Sequence, residues 1–201
     1  MMRSFVIRAR KATVKANKVF SQVGTDGHFE IIAHTLANAF YVSNGMRSDV
    51  AVYVVLESAT DFPRTLKFFS QAGLSFMGFH EKAMLDVVVS TLTKGSQVMK
   101  DEKLAVFPGI DVYGFGFETL MNDLIESHSV YLLDKKGKDI RSVNIESHAV
   151  FVLSDHLAMP KNNIKNLERR GAVKISLGKK MLFASQSVVL VHNELDRQWG
   201  G

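Results

Sequence analysis

The sequence contains no cysteine. That excludes a disulfide framework, a catalytic thiol and a zinc–thiolate site, and it fits a reducing compartment. Long apolar runs are also missing. The longest, Val50 to Leu56, falls far short of the roughly 20 residues a membrane-spanning helix needs. The opening MMRSFVIRARKA interrupts every apolar stretch with arginine, so it does not read as a signal-peptide core, and the cytoplasm is the expected compartment. There is no Walker A loop and no G-x-S-x-G elbow. Gly114-Phe115-Gly116 opens like a dinucleotide fingerprint, but Thr119 stands at the third glycine position. His80-Glu81 opens like a zincin helix, but Met84 replaces the second histidine. Nucleotide-phosphate enzymes, serine hydrolases and zinc proteases therefore lack their usual marks. His28, His34, His148 and His156 are scattered and read as hydrogen-bonded or surface imidazoles; no metal is expected.

What remains is a chain of 201 residues, the length of one domain with at most a small appendage. Its net charge of +5 is unevenly placed. Arg3, Arg8, Arg10, Lys11, Lys15 and Lys18 precede the first acid, Asp26. A second basic block holds Lys161, Lys165, Arg169, Arg170, Lys174, Lys179 and Lys180, opposed only by Glu168. Such blocks suit either a phosphate backbone or a plainly solvated surface.

Hydrophobic periodicity gives the framework. Ser4 to Ala9 alternates as a strand, and residues 10–24 read as a mobile loop. Thr25 and Asp26 are N-cap candidates for a helix with Phe29, Ile32, Leu36, Ala39 and Phe40 inward, stopped near Ser43-Asn44-Gly45. Val50 to Leu56 has the continuous apolar character of a strand covered on both faces. Arg64 to Ser70 reads as a short edge strand, His80 to Leu92 as a helix, Gly109 to Tyr113 as a strand and Glu118 to Glu126 as a helix. Val130 to Leu133 is a strand followed by a turn at Asp134 to Gly137, and Ala149 to Leu153 is another strand. Pro160 opens a helix closed by Gly171, and Val173 to Leu177 is the next strand. Alternating strands and helices predict an α/β fold, with a mostly parallel sheet flanked by helices. Residues 182–196 are ambiguous. Val188 to Val191 favour a strand by propensity, while Leu182, Ala184, Val188, Val191 and Leu195 share a helix face.

Loops at the carboxyl ends of parallel strands collect ligands. Three stand out: the one after Tyr131-Leu132-Leu133, the one at Leu153-Ser154-Asp155-His156, and Ser176-Leu177-Gly178 with Leu182 to Ser187. Small hydroxyls and free main chain flanked by leucine suit a flat, uncharged ring such as adenine. Ordinary loop capping by Ser154 and Asp155 and a tight turn at Gly178 account for the same residues.

Lys174 to Asp196, KISLGKKMLFASQSVVLVHNELD, carries a resemblance. SLGKKMLFASQS with VHNELD, together with FVLSDH at 151–156, DKKG at 134–137 and RSDV at 47–50, resembles the TrmY family of pseudouridine methyltransferases in the SPOUT class. The matching blocks extend over nearly the whole chain. The resemblance implies a single SPOUT-type domain over 1–201. Residues 1–127 would be its RNA-facing part and sheet core, and 128–201 a cofactor-binding part closed by a final helix in a deep trefoil knot. It implies S-adenosylmethionine as cofactor, lined by Leu132, Leu133, Leu153, Ser154, Ser176, Leu177, Gly178, Leu182 and Ser187. It implies a homodimer whose partner is RNA, either tRNA or another structured RNA, methylated at N1 of pseudouridine. The sulfonium is itself the electrophile, so this chemistry requires no metal, but the N1 proton must be accepted or the anion stabilised. Asp49 and Arg47, in the family's Arg-x-Asp block, are the expected catalytic pair, with a surface ion pair as the structural alternative. Arg8, Arg64 and Lys67 are the expected phosphate contacts. Asn193 and Asp196 are expected to satisfy main-chain groups in the knot. Two departures stand out: Ser187 where members commonly have cysteine, and Lys179 where they have proline. The first leaves open a non-catalytic RNA-binding protein of the same fold.

Overall fold

The computed structural model describes residues 1–200. Its strands are β1 (Arg3–Thr13), β2 (Tyr41–Val42), β3 (Gly45–Met46), β4 (Val50–Ser58), β5 (Arg64–Phe69), β6 (Lys103–Phe107), β7 (Ile110–Tyr113), β8 (Ser129–Asp139), β9 (Ala149–Ser154) and β10 (Val173–Ser176). Its helices are α1 (Phe29–Phe40), α2 (Glu81–Lys94), α3 (Phe117–Ile125), α4 (Lys161–Arg169) and α5 (Ala184–Gln198). β2 and β3 form a small hairpin; the other strands make one sheet in the order β10-β8-β9-β1-β4-β5-β7-β6. The four pairings from β10 to β4 are parallel. The three from β4 to β6 are antiparallel. The α/β expectation holds, and its parallel character is confined to one half of the sheet.

Alternation of side chains divides the sheet's two faces. Phe5, Ile7, Val52, Val54, Phe151, Leu153 and Ile175 pack under α1, α2 and α5. Val6, Tyr53, Val55, Val130, Leu132, Val150 and Val152 pack under α3 and α4. β1 and β4 serve both layers, which is why Phe5 to Ile7 of β1 and Val50 to Leu56 of β4 are continuously apolar. The ambiguous segment is a helix because Ala184, Ser187, Val188, Val191, His192 and Leu195 fall on one buried face. The Gln186 side chain reaches back to accept the Phe183 N–H at 3.0 Å, one half of a capping box.

Several local expectations are corrected. Residues 10–24 are not one loop: β1 continues to Thr13, and two 3₁₀ turns follow at Ala16–Lys18 and Phe20–Gln22. The cap of α1 is His28, at φ 47°, a left-handed conformation that histidine tolerates better than most residues, while Asp26 pairs with Lys11. β5 is no edge strand. β7 flanks it, because the unforeseen strand β6 turns back through Pro108-Gly109 and brings β7 into the sheet. β8 runs through the expected turn at 134–137 to Asp139.

Candidate active site

In the parallel half, strand direction defines two edges. β8, β9 and β10 end at the carboxyl edge, and the starts of β1 and β4 lie at the other. A six-residue strand separates the two by about 20 Å.

At the carboxyl edge β8 leaves register. Lys174 of β10 faces Leu132, but the next residue, Ile175, faces Lys138. Leu133 to Gly137 is thus an excursion without partners on β10. Gly137 closes it, since an added Cβ would lie 2.6 Å from the main chain of both Lys174 and Ile175. Asp134 Oδ1 accepts the Lys136 N–H at 2.9 Å and shapes the turn. Ser176 joins this excursion to the loop after β10. Its Oγ accepts the Gly178 N–H at 3.1 Å and lies within donating distance of the Gly178 carbonyl (3.2 Å) and the Lys135 carbonyl (3.4 Å). Gly178 has φ 124°, and a Cβ there would meet nothing within 4 Å, so bare main chain borders open space. The loop after β9 stands at the same edge, held by the Asp155 N–H donating to the Arg8 carbonyl at 3.2 Å.

The expected cofactor residues divide accordingly. Leu133, Ser176, Leu177 and Gly178 come together at this edge, with half-buried Leu133 and Leu177 against the core. Leu153 is buried under the same helices, and Ser154 ends β9. Leu132 turns its side chain to the opposite face, under α3 and α4, so it offers the site only main chain. Leu182 lines a shallow cleft of about 310 Å³ with Asn38, Ser185, Gln186, Val189 and Leu190. Ser187 is buried one turn into α5. A larger cleft, of about 570 Å³, opens elsewhere, beside β8 and the start of β10, with His128, Lys138, Glu146 and Arg170 in its wall. Its wall also has an open glycine, Gly171, but carries the charged side chains of Lys138, Glu146 and Arg170 and no leucine, so we place the candidate site at the three leucine-flanked loops. Their exposed main chain, small hydroxyl and leucine flanks fit an uncharged adenine ring.

Arg47 and Asp49 are at the other edge. They do not pair with each other. Arg3 Nε donates to Asp49 Oδ2 at 2.9 Å, and Arg47 binds Asp196 through two bonds of 2.9 and 2.6 Å. Arg3 Nη1 reaches Asp196 Oδ1 at 2.7 Å and His192 Nδ1 at 3.2 Å. The His192 ring is buried, and its Nε2–H donates to the Ala39 carbonyl at 3.0 Å. Burial, with Arg47 and Arg3 nearby, pushes His192 down to about 3, so it is neutral with Nδ1 as acceptor. The Arg47 and Arg3 hydrogen bonds hold Asp196 down at about 2 against the effect of burial. The main-chain role expected of Asn193 and Asp196 thus falls to His192; Asp196 binds guanidinium groups instead, and Asn193 is exposed. The meeting of Arg3, His192 and Ala39 leaves no mark in the sequence, since it arises only in the fold, with 189 positions separating Arg3 from His192.

The expected phosphate contacts are also occupied. Arg8 is buried over the Phe117 ring, with hydrogen bonds to Glu57, Glu118 and Asn163. Arg64 is buried and paired with Asp61 through two bonds. Lys67 lies half-buried over Tyr53 and Phe69, and burial lowers its pKa. These cations serve the fold first.

Residues 2–199 match the family described as "Putative SAM-dependent RNA methyltransferase". A protein of Photobacterium profundum named "Putative pseudouridine methyltransferase" is 46% identical over 195 residues, covering 97% of this chain and 98% of that one. A Vibrio cholerae protein of the same name is 40% identical over 200 residues, covering 100% of both. Among solved structures, Archaeoglobus fulgidus Nep1 bound to S-adenosylhomocysteine aligns over 100% of both chains with a TM-score of 0.65 and 12% identity, a likeness of fold.

Proposed function

The chain belongs to this family of S-adenosylmethionine-dependent RNA methyltransferases, and from that premise we propose that it is of the SPOUT class and methylates N1 of pseudouridine in a structured RNA such as tRNA. The observation that carries the reading is the convergence of three main-chain loops at one sheet edge, tied by the Ser176 hydroxyl. Relatives of matching length named for pseudouridine support the choice of acceptor.

In this reading the Leu177–Gly178 main chain and the Leu133 excursion hold the adenosine, with Leu153 and Ser154 beside them. Bound S-adenosylmethionine supplies a sulfonium methyl group as electrophile. Exposed Lys179 and Lys180 directly follow Gly178 and are placed for RNA phosphate. Arg47 and Asp49 are assigned to anchoring α5 on the sheet, since their ion pairs lie a strand's length from the loops. Residues 128–201 form the cofactor-binding part, and 1–127 the rest of the sheet and the RNA-facing part, of one cytoplasmic domain. Among the described residues no helix is long and apolar enough to cross a membrane.

A homodimer is supported by the apolar residues beside the cofactor loops: Met181 is 83% exposed, Phe183 67%, and Val189 and Leu190 are also open. A C-terminal knot is supported by the way the 140–148 connection holds the end of α5. Gln198 binds both the Val143 carbonyl and the Ile145 N–H at 3.0 Å, and Trp199 donates to the Ile145 carbonyl at 3.1 Å.

The test is incubation with total cellular RNA and labelled cofactor, then nucleoside mass spectrometry. The label should appear in 1-methylpseudouridine; label confined to another nucleoside would overturn the acceptor. Gly178→Val should abolish cofactor binding in calorimetry while the dimer persists in light scattering. An unchanged affinity would remove the loops from the site.

A further inference from the structure

Asp155, immediately after the Leu153–Ser154 segment, has a side chain only 1% exposed. Its Oδ1 accepts the Leu157 N–H at 2.9 Å. Its Oδ2 is buried without a hydrogen-bond partner. A buried carboxylate oxygen left this way is costly and rare unless it has work to do. The nearest donor is His156 Nδ1 at 3.4 Å, close but not aligned as a hydrogen bond. The His156 ring is partly open to solvent and rests on the His28 ring, with centroids 4.2 Å apart. Glu30 Oε1 holds His28 Nδ1 at 2.7 Å, and Glu30 Oε2 accepts the Gly24 N–H at 2.8 Å. The result is a row of carboxylate, imidazole, imidazole and carboxylate at the edge where the cofactor loops converge. Glu118 and Glu57, two further acids, are engaged by Arg8.

We propose that His156, oriented by Asp155, is the base that takes the N1 proton of the acceptor ring. The proposal rests on the pseudouridine reading above. With Nδ1–H turned to Asp155 Oδ2, the Nε2 lone pair is left for the substrate, a geometry suited to general-base catalysis. The balance is simple. The ring nitrogen gives its proton to His156 Nε2 and its electron pair to the methyl carbon. The N–C bond forms as the C–S bond breaks, and sulfur keeps the bonding pair as a neutral thioether. The imidazolium is stabilised by Asp155 and later loses its proton to solvent past His28. Asp155 is a positioning residue here; only His156 touches the acceptor. Burial pushes the Asp155 carboxyl up, while the Leu157 N–H, His156, His28 and Arg10 of β1 act in the opposite direction. Forming a charged neighbour therefore relieves a real deficit at Asp155. Catalytic hydrogen bonds that are loose before substrate binds commonly tighten in the reacting complex.

The experiment uses the full chain with a pseudouridine-containing tRNA. His156→Gln should lower the single-turnover rate by about 100-fold or more, with cofactor affinity in calorimetry changed less than twofold. Asp155→Asn should lower the rate at least tenfold at unchanged melting temperature. It should also change the His156 tautomer, read by imidazole ¹⁵N shifts without cofactor: mostly Nδ1–H in the wild type, a mixture in the variant. A His156→Gln rate within threefold of wild type, or an unchanged tautomer in Asp155→Asn, overturns the proposal. If wild type transfers no methyl to pseudouridine, the reading of the acceptor falls, and this role with it. If wild type is active and both variants keep its rate, only this role falls.

Discussion

The two edges of the parallel half-sheet treat charge in opposite ways. At the starts of β1 and β4, Arg3, Arg47, Asp49, Asp196 and His192 each have a partner, and the network joins β1, the β4 entry and the end of α5. At the carboxyl edge the chain leaves main chain bare at Gly178 and one oxygen of Asp155 unpaired. A satisfied network fixes geometry; an unsatisfied one marks a place where a ligand completes the bonding. The difference shows that an Arg-x-Asp pattern in sequence does not by itself say whether its charges face a substrate or one another.

If that contrast is right, substitutions at the two edges separate function from stability. The largest effect should come from Gly137→Ala. Its Cβ would strike the main chain of β10, so the excursion must shift; we expect about 3 kcal/mol of lost stability and at least about a tenfold loss of cofactor affinity, read by urea denaturation and calorimetry. Stability loss without any change in affinity would detach this glycine from the site. Arg3→Met comes next. It leaves Asp49 and His192 without their guanidinium, and should cost about 2 kcal/mol after allowing for the partial exposure of the carboxylates, with cofactor affinity unchanged at a permissive temperature. A weaker cofactor grip in this variant would mean that the two edges are coupled.

The last comparison is a pH slope. His192 titrates at about 3 in the fold, well below an ordinary histidine near 6.5, so the unfolded chain takes up the proton first. Its contribution is therefore complete above about pH 6.5 and is lost as pH falls toward 3, by at most about 1.4 kcal/mol per pH unit. Asp196, held at about 2, adds a loss only below about pH 4. Denaturant midpoints at pH 7 and pH 5 should differ less in His192→Gln than in wild type. Equal differences would place the acid-sensitive group elsewhere.

Much of the framework was legible because periodicity reports burial directly. β4, α2, α3, β9 and β10 stand within a few residues of where their patterns put them. β6 was missed because its residues alternate only weakly and are nowhere fully buried. β5 was misplaced at the edge because being flanked by β7 leaves little trace in a short strand. In the site, Ser176 and Gly178 could be read from a turn signature. Asp155 and His156 were visible but indistinguishable from a helix cap and a surface imidazole. His28 carried no signal, since its contact with His156 spans 128 positions.

The sequence alone determined the alternation of elements, the buried face of α5 and the glycine–serine turn after β10, because each depends on neighbours within a few residues. Only the tertiary structure decided which charges meet. Ion pairs form between groups brought together by strand order, and local spacing holds no record of that order. Arg47 and Asp49 are separated by one residue, yet each binds a different partner across the sheet edge. Asp155 and His28 are far apart in the chain, and only the fold brings the His28 ring against that of His156, with centroids 4.2 Å apart.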